Sequence, residues 1–248
     1  FVPARMNSKR LYGKPLKQIK GRPMLEHVFE RAKMFNKWNK LSIATCDKEI
    51  MKFAKLKKYK YVMTSKHHKR CLDRVFEAAS KIKKIKKNDI IVCVQGDEPM
   101  LHPNMIRSVI KPLLKNKKIK STVLSMHIVD YLQFKNPNIV KIIHDLEGKV
   151  LYTSRAPIPY CKKFTKKLYA RRIYGIFAFR YNFLKFYSSL RPSPLEIYEA
   201  CDSNRICDNG GGMYIAPYKY YPSFAVDTIS DLKLVNKKIK KDPLIKKY

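Results

Sequence analysis

The sequence predicts an α/β protein: a doubly wound, mostly parallel sheet with a small β-rich subdomain. Three observations lead there. Short β-rich apolar runs alternate with longer amphipathic stretches through the first half, the rhythm of βαβ units. The run from Asp89 to Val94 has the continuous apolar character of a strand covered on both faces. From about Lys120 to Arg180 the pattern changes to strands with hairpin turns, so an excursion over about 120–180 is expected as a subdomain or dimerisation arm. No long linker interrupts the chain, and a single domain over 1–248 is expected.

The elements follow in order. Leu41 to Thr45 is a strand, with a helix from about Lys48 to Lys57 behind it. Tyr61 to Thr64 is a second strand, followed by a helix from Leu72 to Ile85. Asp89 to Val94 ends in a polar turn, and Pro103 opens a helix at its first turn, where a missing N–H costs nothing. Strands are expected at Ser121 to His127, Val140 to His144, Val150 to Thr153 and Tyr174 to Phe179, with Glu147-Gly148 as a turn and a short helix from Asn182 to Tyr187. Gly210-Gly211-Gly212 is read as a flexible turn, because it lacks the strand-then-helix setting of a phosphate loop. Ligands of such sheets bind at the carboxyl ends of the strands, which is where polar motifs should fall.

Composition narrows the function classes. Hydrophobic residues make up 45%, enough for a core and against wholesale disorder. No apolar run approaches the roughly 20 residues that span a bilayer, and no signal-peptide pattern opens the chain. The start at Phe1, without Met and within a strand, suits trimming from a longer chain better than a cleaved leader. Six cysteines form no CxxC pair, so reduced thiols in a cytoplasmic protein are expected, and the six histidines show no metal-ligand spacing. The 54 Lys+Arg against 19 Asp+Glu give a net charge of +35, which raises nucleic-acid binding as a second class of function. The excess is mostly lysine spread over nearly every amphipathic segment, and a recognition patch would concentrate it with Arg or aromatics. A solvated surface is the better reading.

Three constellations carry chemistry. The opening run Phe1 to Leu16 is a strand end and a loop holding Arg5, Lys9, Arg10 and Lys14 with Gly13 at the turn. Such a loop can wrap a triphosphate with Arg forks and backbone N–H groups, although charge alone also fits a basic surface loop. In Val94-Gln95-Gly96-Asp97-Glu98-Pro99, an aspartate directly after a buried strand and a glycine is placed to hold Mg2+ beside substrate phosphate. The same residues also suit an ordinary Asx turn. Ala225-Val226-Asp227-Thr228 puts an aspartate just before a helix that Thr228 or Ser230 would cap.

The opening run resembles the IPAR-x-x-S-x-R-x-x-GKPL signature of sugar cytidylyltransferases, with Gly21-Arg22-Pro23-Met24 similar to the following GKPM. VQGDEP at 94–99 and VDT at 226–228 resemble the family's VQGDEP and VDTPEDL. Phe134 to Lys141, Leu151 to Pro159 and Pro194 to Glu199 are similar to FNPNxVKV, LYFSRxxIP and SPLExxE. The motifs keep their order along the chain, which resembles the CMP-Kdo synthetases, the 3-deoxy-manno-octulosonate cytidylyltransferase family. The resemblance implies a nucleotide-diphospho-sugar transferase fold and, for lipopolysaccharide or surface-polysaccharide synthesis, transfer of CMP from CTP to the anomeric hydroxyl of an acidic 3-deoxy sugar with release of pyrophosphate. It implies that Arg5, Ser8, Arg10 and Lys14 hold the CTP phosphates and that Asp97 and Asp227 ligate Mg2+. It further implies that Gln95, Arg155, Glu196 and Glu199 meet the sugar, Arg155 through its carboxylate, and that the enzyme is a homodimer.

Two departures bear on specificity. Arg70-Cys71-Leu72-Asp73-Arg74 replaces the family's SGTER near the nucleotide base. Ile173 and Phe177 stand where a sugar-contacting His and Tyr occur in HLGIYGYR. A site that loses a hydroxyl partner changes its preference sharply, so an 8-amino relative of Kdo or a nonulosonic acid is the alternative acceptor.

Overall fold

Every residue from 1 to 248 is described in the computed structural model. In chain order the elements are β1 (Val2–Ala4), β2 (Gln18–Ile19), β3 (Arg22–Pro23), α1 (Met24–Lys33), β4 (Ile43–Thr45), α2 (Lys48–Leu56), β5 (Tyr61–Met63), α3 (Cys71–Ser80), β6 (Ile90–Val94) and α4 (Pro103–Lys115). They continue with β7 (Ser121–His127), α5 (Tyr131–Lys135), β8 (Lys141–His144), β9 (Val150–Ser154), β10 (Arg171–Arg180), α6 (Tyr181–Ser189), α7 (Pro194–Glu199), α8 (Asp202–Asp208), β11 (Tyr214–Tyr218) and α9 (Ile229–Ile239). The chain divides into two compact units. The first comprises Phe1–Ile85, Cys93–Ile106 and Pro222–Tyr248, and the second Lys86–Val92 and Arg107–Tyr221.

In the first unit β1, β4 and β5 pair in parallel, Val2 opposite Ile43 and Ile43 opposite Tyr61. Parallel neighbours require a crossover, and α2 supplies it between β4 and β5. It buries Ile50, Phe53 and Ala54, the i, i+3, i+4 stripe of an amphipathic helix. Its lysines stay outside that stripe. The helix expected to reach Ile85 stops at Ser80, where the Lys81 N–H closes on Ala79 and Glu77 carbonyls. The amphipathic pattern continues past this point, but Lys84 sits at φ 62, which no α-helix contains. Arg31 of α1, fully buried, ion-pairs with Asp242 at 2.8 Å and ties the end of the chain to the helix.

One buried cluster organises this unit: Leu11, Ile19, Met24, Met100, Val226, Val235 and Ile239. Leu11 and Val226 belong to the first and third polar constellations, and Met100 directly follows the second. A shared apolar floor therefore fixes loops that are far apart in sequence. Gly96 has a steric reason to be glycine. A Cβ there would lie 2.7 Å from the Pro3 carbonyl oxygen, which is main chain and cannot rotate away. Gly96→Ala must therefore part these two segments. The expected cost is about 1–3 kcal/mol, measurable as a lower midpoint in urea unfolding, and an unchanged midpoint would show that the contact yields.

The second unit carries the strand order β11-β7-β10-β8-β9, with β6 pairing β10. Here β11 and β7 are parallel, while β7–β10, β10–β8 and β8–β9 are antiparallel. The mostly parallel pairing read from the sequence holds in the first unit and gives way to a mixed sheet in this one. The reason is local: β8 and β9 are joined by the short turn Asp145–Lys149, with Gly148 at φ 84, and so tight a link permits only antiparallel strands. The β-rich excursion expected over 120–180 lies inside this larger unit. β10 runs ten residues, and its register against β7 shifts between Ile173 and Phe177. The glycine triplet ends α8, where the Gly211 N–H returns to the Ile206 carbonyl at 2.8 Å and Gly210 takes φ 68, a helix C-terminal turn. All six cysteines are free, and no helix is long and apolar enough to cross a membrane.

Candidate active site

The loop after β1 is closed on itself and anchored. The Met6 carbonyl accepts from the Gly13 N–H at 2.9 Å, and the Met6 N–H donates to Asp47 Oδ2 at 2.8 Å. Gly13 adopts φ 67, the left-handed conformation that glycine tolerates, and the chain turns at once into a 3-10 turn, Lys14–Leu16, with Pro15 fixing its start. That turn brings Lys14 back towards the end of β6. Asp97 lies three residues beyond that strand. Its main-chain carbonyl accepts from the Val226 N–H at 2.9 Å, which sets Asp227 beside it. Asp227 precedes α9, whose first turn is closed by a capping box between Thr228 and Asp231.

The result is a compact charge cluster in the first unit. Lys14 Nζ donates to Asp97 Oδ2 at 2.9 Å and to Asp227 Oδ1 at 3.1 Å, and Arg10 Nη2 lies 2.8 Å from the same Asp227 oxygen. Burial works against the Lys14 charge, but the two carboxylates outweigh it and raise its pKa. Lys14 is therefore a fixed cation at neutral pH. Arg5 is exposed and Ser8 half-buried on the same loop. Gln95 donates from its amide to Cys71 Sγ at 3.4 Å, so the strand end bearing Asp97 touches the divergent 70–74 segment. In that segment Arg74 is buried and donates to Thr64 Oγ1 at 2.6 Å.

Two carboxylates meeting one ammonium are a hard-oxygen set that a small dication could also bridge, and Mg2+ commonly takes one or two protein carboxylates plus phosphate and water. No group of three or more His, Cys, Asp or Glu side chains gathers anywhere in the chain, and Asp97 and Asp227 are a pair.

The second unit holds the remaining polar constellation. Glu199 accepts from Tyr152 Oη at 2.7 Å, Ser154 Oγ at 2.6 Å and the Arg155 N–H at 2.8 Å. Burial alone would raise its carboxyl, but these donors and the Arg155 charge hold it below the ordinary carboxylate range. The Arg155 guanidinium donates from Nε to the Glu199 carbonyl at 2.7 Å and from Nη1 to the Pro137 carbonyl at 2.8 Å. Glu196 is placed otherwise than the sequence motif implied. It is 0% exposed, and both its oxygens are taken by Arg205, Nε and Nη2 each at 2.7 Å. Its carboxylate braces α7 against α8 and is not presented to a ligand. Ile173 is half-buried, and Phe177 is buried parallel to Phe179 with ring centroids 6.4 Å apart.

Three partners escaped the sequence reading. Asp47 follows the strand end Ile43–Thr45, on the edge where ligands bind, and that position was its only signal. Arg205 sits nine residues after Glu196 on a different helix, beyond any local spacing rule. Lys141 closes a quoted motif but shows its environment only in three dimensions: it is buried and bonded to carbonyls of residues 136, 139 and 155.

Comparison with known proteins gives a consistent result. The family described as Cytidylyltransferase matches residues 1–215. The chain is 37% identical over 247 residues to a 3-deoxy-manno-octulosonate cytidylyltransferase of Haemophilus influenzae, covering 95% of each chain. It is 34% identical over 249 residues to the protein of that name from Geobacter metallireducens, covering 96% of each. Among solved structures, a CMP:2-keto-3-deoxy-manno-octonic acid synthetase complexed with CTP superposes with a TM-score of 0.86 at 29% identity, covering 97% of both chains. A 4-diphosphocytidyl-2C-methyl-D-erythritol synthase from Anaerococcus prevotii, 16% identical with a TM-score of 0.59, shares the fold.

Proposed function

The chain belongs to the cytidylyltransferase family, and from that premise we infer that the cluster of Lys14, Asp97 and Asp227 is where CMP leaves CTP for 3-deoxy-manno-octulosonate. The enzyme is a nucleotidyltransferase of lipopolysaccharide synthesis. The observation that carries the site assignment is the convergence of two carboxylates and two cations from three distant segments on one point.

In the reaction the anomeric hydroxyl oxygen bonds to the α-phosphorus of CTP. The bond from that phosphorus to its bridging oxygen breaks, pyrophosphate leaves with the electron pair, and the hydroxyl proton is lost. Little covalent chemistry falls to the protein, whose work is positioning and charge stabilisation. Arg10 and Lys14 are held on carboxylates until the triphosphate offers them better partners, and they then neutralise the leaving phosphates together with Arg5 and the loop carrying Ser8. Asp97 and Asp227, released from those cations, would hold Mg2+. Bound there, the ion supplies positive charge at the transferring and leaving oxygens. The resemblance assigns Gln95 to the sugar. In the second unit, Arg155 is assigned to the sugar carboxylate and Glu199 to its hydroxyls. The resemblance supports a homodimer, and the use of a nucleoside triphosphate supports a cytoplasmic location.

A second acceptor is favoured by one observation: Phe177 has no hydroxyl and lies buried in the strand where the family presents a tyrosine. The test offers 3-deoxy-manno-octulosonate, its 8-amino analogue and a sialic acid in parallel to purified protein with CTP and Mg2+, and measures pyrophosphate release. Turnover with the first is expected. Preference for either of the others would move the acceptor assignment, and a folded protein that neither binds CTP nor turns over any sugar would overturn the reading.

A further inference from the structure

Lys141 opens β8 and is 0% exposed. Buried lysines are rare and are normally paired with a carboxylate. This one is held by main-chain carbonyls: Asn136 at 2.9 Å, Ile139 at 2.7 Å and Arg155 at 2.6 Å. An ammonium has three N–H donors, and all three are matched. Without the cation, three carbonyl dipoles would converge on one spot with no donor between them.

The segments that Lys141 gathers are the ones that Arg155 bridges. Its ammonium joins 136–139 to the Arg155 carbonyl, while the Arg155 guanidinium reaches Pro137 on one side and Glu199 on the other. The Arg155 N–H also meets Glu199 Oε2. We propose that Lys141 is a positioning residue for the acceptor sugar, an internal cation that holds the 136–139 loop and residue 155 together so that Arg155 and Glu199 keep their places. This rests on the assignment of Arg155 and Glu199 to the acidic sugar.

The charge state gives the device a pH signature. Burial, joined by the nearby Arg155 charge, lowers the Lys141 pKa to about 8, against the opposing pull of Glu199 and Cys201. As pH rises through that value the amine keeps two N–H groups for three carbonyls. One carbonyl loses its donor, and the hold on the loop weakens. Of the other charged groups around it, Glu199 stays ionised across this range, the Arg155 guanidinium lies close by, and Arg172 stands directly opposite Lys141 on β10. The Cys201 thiol, which donates to the Glu199 carbonyl at 3.1 Å, is a further titratable neighbour.

The test is steady-state kinetics with CTP and 3-deoxy-manno-octulosonate varied separately. In Lys141→Met at pH 7 the sugar KM should rise at least tenfold, while the CTP KM stays within twofold, because the proposed CTP loop belongs to the other unit. In the wild type, and equally in Cys201→Ser, the sugar KM should climb as pH passes about 8 with the CTP KM flat. That measurement needs no Lys141 variant and decides the matter if Lys141→Met does not fold. A sugar KM unmoved by both the substitution and pH overturns the proposal, as does a fall in kcat with both KM values unchanged. Glu199→Gln separates the two readings. If it raises the sugar KM while Lys141→Met and pH do not, only the positioning role fails; if it leaves the sugar KM alone, the sugar-site assignment fails and takes the proposal with it.

Discussion

Asp97→Ala should leave about a hundredth of wild-type turnover or less in a chain that still folds. Loss of one charge-organising group from a phosphoryl-transfer site is expected to cost at least as much as loss of one oxyanion donor, about 10²–10³ in rate. The fold survives because the feature of Asp97 that holds structure is its main-chain carbonyl, which accepts from Val226 and is untouched by the substitution. Its carboxylate meets Lys14, and Lys14 retains Asp227 as a partner in the variant. Asp227→Ala is a harsher change, since it strips a partner from both Arg10 and Lys14. The comparison is made by pyrophosphate release across a Mg2+ titration, with circular dichroism as the control for folding. A variant that still turns over at wild-type rate at saturating Mg2+ would remove Asp97 from the proposed metal site. One rescued only by excess Mg2+ would place its role in metal affinity.

The first unit was largely readable because its determinants are local. Periodicity places α2 within a residue of its observed end, and Asp97 and Asp227 each lie just outside an element whose boundary the sequence marks. The second unit was less so. β10 begins at Arg171, three residues before the expected strand, because two arginines conceal its start; both are buried. Its mixed pairing depends on turn lengths more than on strand composition. Glu196 illustrates the limit most sharply. The spacing of Pro194, Leu195, Glu196 and Glu199 carries a family resemblance and no information about where each carboxylate points. One turn of helix separates the two glutamates. Glu199 collects hydroxyls and an N–H around a half-buried carboxylate, while Glu196 faces inward to a guanidinium supplied by another helix. Side-chain direction on so short a helix is decided by what packs against it, and α8 comes later in the chain.

Glu196→Gln tests that division with a large effect on stability. The carboxylate is fully buried and meets Arg205 through two parallel hydrogen bonds, and the Arg205 side chain is itself only 3% exposed. The guanidinium also lies over the Tyr187 ring, 4.3 Å from its centroid, and Glu196 closes the capping box of α7 with Ser193. Removing one charge of such a pair strands the other in a dry interior, at a cost of about 3–5 kcal/mol. A chain of this size should then melt roughly 10 °C lower. The double change Glu196→Leu with Arg205→Met should recover most of the loss, because a buried ion pair and a well-packed apolar pair are often close in free energy. Kinetics complete the test. If Glu196 only braces the helices, the protein that remains folded below the lowered Tm keeps its sugar KM within about twofold, since a lost sugar hydrogen bond of about 0.5–1.5 kcal/mol would shift it further in most of that range. A sugar KM raised tenfold with an unchanged melting temperature would return Glu196 to the acceptor and break the assignment of its partner.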